Sequence, residues 1–107
     1  MTDSKQLHND ASHMRQTAQT KRNDASKALL RAEDYMKSGY FDRAAQESDR
    51  ANHDYQQIQE LERAAMDCDH RAAELEARAF ALEKRENELK AISRAQIEQM
   101  ERLKRTL

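Results

Sequence analysis

No proline occurs anywhere in this chain, and glycine occurs once, at position 39. Proline inside a helix costs about 3 kcal/mol, and glycine about 1 kcal/mol relative to alanine. A sequence without either, except at one point a third of the way along, has one place to turn. The expected product is all-α: an antiparallel helical hairpin folded at Gly39 that continues into a long coiled-coil helix.

Three segments follow from the pattern. Residues 1–12 are polar without useful periodicity and are expected to form a disordered tail. From Ala11 a heptad stripe emerges: Ala11, Met14, Ala18, Lys21, Ala25, Ala28, Ala32 and Tyr35. Spacings of three and four put these on one helical face, and Lys21, the one misfit, can lay its stem along the stripe. Helix 1 is predicted over 13–38. Lys37-Ser38-Gly39 supplies the stop, a cation in the last turn followed by a residue suited to the left-handed conformation. The returning helix carries Phe41, Ala44, Ser48, Ala51, Tyr55 and Ile58, so 13–57 is read as the hairpin. Small residues there, Ala25, Ala28 and Ala32 against Ala44, Ser48 and Ala51, predict close helix packing.

Two steps of three between Tyr55 and Leu61 mark a slip in phase, and 58–107 then reads as a coiled-coil helix. Its expected interface is Ile58, Leu61, Ala65, Cys68, Ala72, Leu75, Ala79, Leu82 and Leu89. Continuity of the helix from 41 onward is favoured over a hidden break, because no strong breaker intervenes. Acid-before-base pairs four residues apart (Asp67/Arg71, Glu74/Arg78, Glu86/Lys90, Glu98/Arg102, Glu101/Arg105) add about 0.2–0.5 kcal/mol each. Arg71, Arg78 and Arg85 on one flank and Glu62, Asp69, Glu76 and Glu83 on the other favour a parallel homodimer. Such a pair would bring Cys68 against its symmetry mate.

The turn region reads Ala32-x-x-Tyr35-x-x-x-Gly39-x-Phe41-x-x-Ala44-x6-Ala51. This resembles the turn of a tetratricopeptide or MIT helical hairpin, in which small residues let two helices approach and aromatics flank the crossing. No second copy follows at a period of 34, which excludes a tetratricopeptide array. A single MIT-type hairpin followed by a coiled coil is similar in layout to the autophagy subunits of the nuclear receptor-binding factor 2 family. The resemblance implies adaptor work in membrane trafficking or autophagy. An MIT domain also folds back a third helix, and no second turn is evident here.

Composition narrows the function classes. Nineteen Lys and Arg against twenty Asp and Glu leave no global basic field for nucleic acid. Residues 41–68 are acidic, with Arg43, Arg50 and Arg63 facing Asp42, Glu47, Asp49, Asp54, Glu60, Glu62 and Asp67. That balance suits a basic partner or a solvated face. No apolar run approaches the ~18 residues of a membrane span, and a single cysteine, Cys68, cannot form an internal disulfide. A cytoplasmic setting is the default reading. The four histidines are scattered, Cys68 and His70 fall on different helical faces, and no nucleophile–base pairing or phosphate loop is evident. Neither a metal, a cofactor nor catalysis is expected. Tyr55-Gln-Gln-Ile58 has the aromatic-x-x-aliphatic form of a peptide motif that binds ubiquitin-like proteins, although core packing accounts for it more simply.

The function expected from sequence is a non-enzymatic helical adaptor or scaffold that receives partner helices or peptides. The alternative is a structural homo-oligomeric bundle, such as a small bacterial or phage assembly or chaperone protein without a peptide groove.

Overall fold

A computed structural model describes residues 3–107. Two helices account for nearly all of them: α1, Ser4–Lys37, and α2, Phe41–Thr106. No strand occurs among the described residues.

Helix α1 begins nine residues earlier than the hydrophobic pattern predicts. Asp3 is the N-cap, its carboxylate accepting the Gln6 amide at 2.7 Å. An N-cap acid satisfies one of the orphan amides of the first turn and meets the positive end of the helix dipole. Leu7 and Ala11 are buried. The expected disordered tail over 1–12 is therefore corrected: from Ser4 onward it is helix, anchored by Leu7, and residues 1 and 2 lie outside the described part. One leucine a turn ahead of the alanine row extends the stripe, and its isolation among polar residues hid it.

The turn is built by Gly39, whose φ is +81°. The Tyr40 amide donates to the Tyr35 carbonyl at 2.8 Å and the Gly39 amide to Met36 at 3.2 Å. These two bonds define a Schellman motif, which requires the left-handed residue between them. Its usual apolar contact is present as an edge-to-face pair of Tyr35 and Tyr40, centroids 6.4 Å apart. The Arg43 guanidinium sits over both rings, 5.5 Å from the Tyr40 centroid. Phe41, expected from the sequence to pack at the turn beside Tyr35, is instead 62% exposed at the first position of α2.

The hairpin is antiparallel, and its core consists of two rows of small residues at every seventh position. On α1 the buried row is Ala11, Ala18, Ala25 and Ala32; on α2 it is Ala44, Ala51, Ile58, Ala65 and Ala72. Ala25, Ala28 and Ala51 form its central cluster. A strict seven-residue row stays turned toward its partner only because 3.5 residues per turn is close to the helical 3.6. Between successive members of the α2 row, two residues share the border: Glu47 with Ser48, Leu61 with Glu62, and Cys68 with Asp69 are all half-buried.

That sharing removes the predicted slip in phase. Tyr55 is 40% exposed and Asp54 beside it is half-buried. With Ala51 and Ile58 as the row, spacing runs in sevens without interruption through Ala72. The boundary between hairpin and coil moves accordingly, from 57 to 72. The longer α1 needs a longer stretch of α2 to pack on. Residues up to Ala72 form one compact unit and Ala73–Leu107 a second.

Two outcomes check this account. A Cβ on residue 39 meets nothing within 4 Å, so substitution there tests backbone conformation alone. Gly39→Ala should lower stability by about 1–2 kcal/mol, and Gly39→Asn by less, in thermal or urea unfolding. Leucine at Ala51, in the row, should cost about 1–3 kcal/mol by overpacking. Leucine at exposed Ala45 should leave the melting temperature unchanged. Equal effects at both sites would mean the register is wrong.

Candidate interaction surface

In the first unit, charge lines both edges of the alanine seam. On one edge Arg22 pairs with Glu62 and Arg15 with Asp69, each partner seven residues from the next. On the other, Lys21 Nζ donates to Gln57 Oε1 at 2.6 Å, and Arg31 Nε and Nη2 both reach Glu47 Oε2, at 3.2 and 3.1 Å. The stem of Lys21 lies half-buried along the seam with its head at the edge, as the stripe requires. The acidic middle of α2 therefore has a basic partner within the same chain: the arginine side of α1. The acids are evident in the sequence as a cluster and their complement is not, because the matching bases lie across the turn.

Asp69 meets two side chains of α1. Its Oδ2 accepts from Arg15, and its Oδ1 lies 3.0 Å from His8 Nδ1. The Arg15 hydrogen bond, helped by the one from His8, holds the Asp69 carboxyl below its ordinary value near 3.8. Asp69 thereby fastens the first turns of α1 to α2.

The depressions described on the hairpin are open to solvent. They are grooves beside the ion pairs, one lined by Ala18, Gln19 and Met66, another by Thr17, Lys21, Leu61 and Ala64. Among the described residues, no group of three or more His, Cys, Asp or Glu side chains is placed to hold a metal ion. None of the described helices is long and apolar enough to cross a membrane.

The predicted site residues divide into two sets. Ala28, Ala32, Ala44 and Ala51 are buried in the hairpin, Tyr35 is half-buried and Gly39 makes the turn. Ile58, Ala65 and Ala72 are buried as well, and Leu61 and Cys68 half-buried. These five belong to the intramolecular seam, so the stretch 58–72 is corrected from an interface between chains to one within the chain. Cys68, a free thiol, is thus withdrawn from the face on which a symmetry mate was expected. Ile58 is 3% exposed and unavailable as the aliphatic anchor of a Tyr55–Ile58 peptide motif.

Beyond Ala72 the same heptad letters lie on an open surface. Leu75 is half-buried and Ala79 exposed. Leu82 is 69% exposed, Leu89, Met100 and Leu103 each 58%, and Ile92 55%. On a helix of 3.6 residues per turn, these large side chains fall within one stripe, interrupted by Glu86, Ser93 and Gln96. Phe80, 70% exposed, lies on the opposite side. Single exposed leucines need no explanation; a row of them along one face does.

Comparison with protein-family models, with curated proteins and with solved structures returns no match. The third helix implied by the MIT resemblance is absent from the described residues, which form α1 and α2 only.

The Asp69 contacts carry a signed prediction. A carboxyl with a lowered folded-state value stabilises the fold fully above its unfolded value and loses that contribution as pH falls through the folded one. Asp69→Asn should melt below the parent at neutral pH, and the gap should narrow as pH falls below the ordinary carboxyl value near 3.8. A gap that stays constant as pH falls would detach Asp69 from the hairpin's acid stability.

Proposed function

We propose that this chain is a non-enzymatic helical scaffold in which the hairpin is the base and the helix of residues 73–107 is the binding element. The observation that carries the reading is the contrast between the two units. The seam of the first unit is filled from within the chain. The stripe Leu82, Leu89, Met100, Leu103 of the second is left facing solvent. An apolar row at helical spacing is the pattern by which one amphipathic helix receives another.

This reading moves the binding surface away from the hairpin, where sequence analysis put it. The hairpin grooves are bordered by charges already paired across the seam, as with Arg22–Glu62 and Lys21–Gln57. A structural role in a homo-oligomeric assembly uses the same stripe with a second copy as occupant. The narrower job in membrane trafficking or autophagy rests on the letters around Gly39 alone, and the two-helix architecture adds nothing to it.

Site-specific photocrosslinking in expressing cells tests the scaffold reading. A benzophenone side chain at position 82 or 89 should yield face-specific adducts to a polypeptide. One at Asn87, on the opposite side, should yield few. Adducts independent of face, or none from 82 and 89, would remove the binding role from this helix.

A further inference from the structure

We infer that the occupant of the 75–107 stripe is a second copy of this chain, paired antiparallel, with Glu86 of each copy opposite Gln96 of the other. The inference rests on the scaffold reading above and names its partner.

Charge along the helix is the first argument. Residues 73–88 hold five acids (Glu74, Glu76, Glu83, Glu86, Glu88) against three bases, whereas 89–107 hold five bases (Lys90, Arg94, Arg102, Lys104, Arg105) against two acids. A parallel in-register pair lays acid-rich half on acid-rich half. An antiparallel pair lays each on its complement, as the hairpin itself does with the arginines of α1 and the acids of α2. The flank pairs that favoured a parallel dimer are reduced to one. Arg71 is engaged with Asp67 at 3.3 Å beside the seam that α1 covers. Of the rest, Arg78 would meet Glu83, but Arg85 would meet Lys90, a repulsive pair.

Side-chain size in the seam is the second argument. Parallel pairing stacks identical layers: alanine on alanine at 79, serine on serine at 93, and Glu86 on Glu86, alternating with leucine on leucine at 82 and 89. The helices would have to be close at one layer and distant at the next. In the antiparallel register the two thin residues each face a thick one, Ala79 opposite Leu103 and Ser93 opposite Leu89, while Leu82 lies opposite Met100. The two polar residues left, Glu86 and Gln96, meet each other, and the Gln96 amide can donate to the carboxylate. A polar pair matched in one register fixes that register, because any slip by a heptad sets one of them against an apolar side chain. Lys90 approaches its own mate near the two-fold axis. Its charge is offset by Glu86 of the same helix, 3.2 Å away.

The test uses the full chain with Cys68→Ser. The parent should have twice the 12.5 kDa chain mass in solution, and Leu89→Glu should halve it while hairpin unfolding is retained. Glu86→Cys alone should give no covalent dimer on oxidation, nor Gln96→Cys alone; an equimolar mixture, unfolded and refolded together, should give the heterodisulfide. A covalent dimer from Glu86→Cys alone would establish parallel pairing and overturn the inference. A monomeric mass would overturn it as well. If positions 82 and 89 then still crosslink to another protein, the scaffold reading survives; if they do not, both fail.

Discussion

The hairpin depends on the alanine row. Alanine is the best helix former and surrenders no side-chain entropy when buried, so the residue that favours each helix alone also lets the two approach closely. The limitation comes with the same choice. A methyl group removes little apolar area from water, at about 25 cal/mol per Å², and no large side chain of the described residues is fully buried. Among the described residues, Leu7 and Ile58 are the only sizeable apolar groups in the core. Such a seam specifies distance and register well and supplies little stabilisation per residue, so it has to be long. That requirement accounts for the continuation of α1 back to Ser4.

Charge supplies orientation where apolar contact is thin. Exposed ion pairs are worth at most about 1 kcal/mol each, too little to hold two helices together. Repeated at seven-residue spacing on one edge, they discriminate between registers. A shift of α1 by one heptad would keep alanine against alanine but leave one of the pairs unmatched at an end. The Schellman turn adds a local constraint: with Gly39 at positive φ and Tyr35 against Tyr40, α2 departs at a fixed point. Turn, row and edge charges all select the same antiparallel pairing, which is the consistency expected of a sequence that specifies one structure.

What could be read from the residues divides along the same lines. The turn was legible because a single glycine in a proline-free chain has one use. The α1 stripe was legible down to the awkward Lys21, because period alone identifies a helical face. Two features were not. Leu7 stands alone among polar residues, and a window that demands several apolar neighbours passes over it; only the presence of α2 beyond residue 58 gives it something to pack on. Tyr55 reads as a core residue because an aromatic outranks an aspartate in any apolar pattern, yet the border position is shared with Asp54. Choosing between them needs the position of the other helix. From that one choice came the false slip in phase, the short hairpin and the assignment of Cys68 to an intermolecular interface.

The second unit reverses the terms of the first. Its helicity is supported locally by pairs such as Glu86–Lys90, worth about 0.2–0.5 kcal/mol apiece, so it does not require burial to stay helical. Its stripe, by contrast, carries leucine and methionine in place of alanine, the larger side chains that give area to an interface. Three polar residues then interrupt it. A continuous leucine row would bind tightly and in several registers. In the proposed pairing, Glu86, Ser93 and Gln96 lower the affinity and penalise the wrong alignments. The chain thus joins a thin seam made within the molecule to a thicker, interrupted stripe which, in the pairing proposed above, suits a selective association.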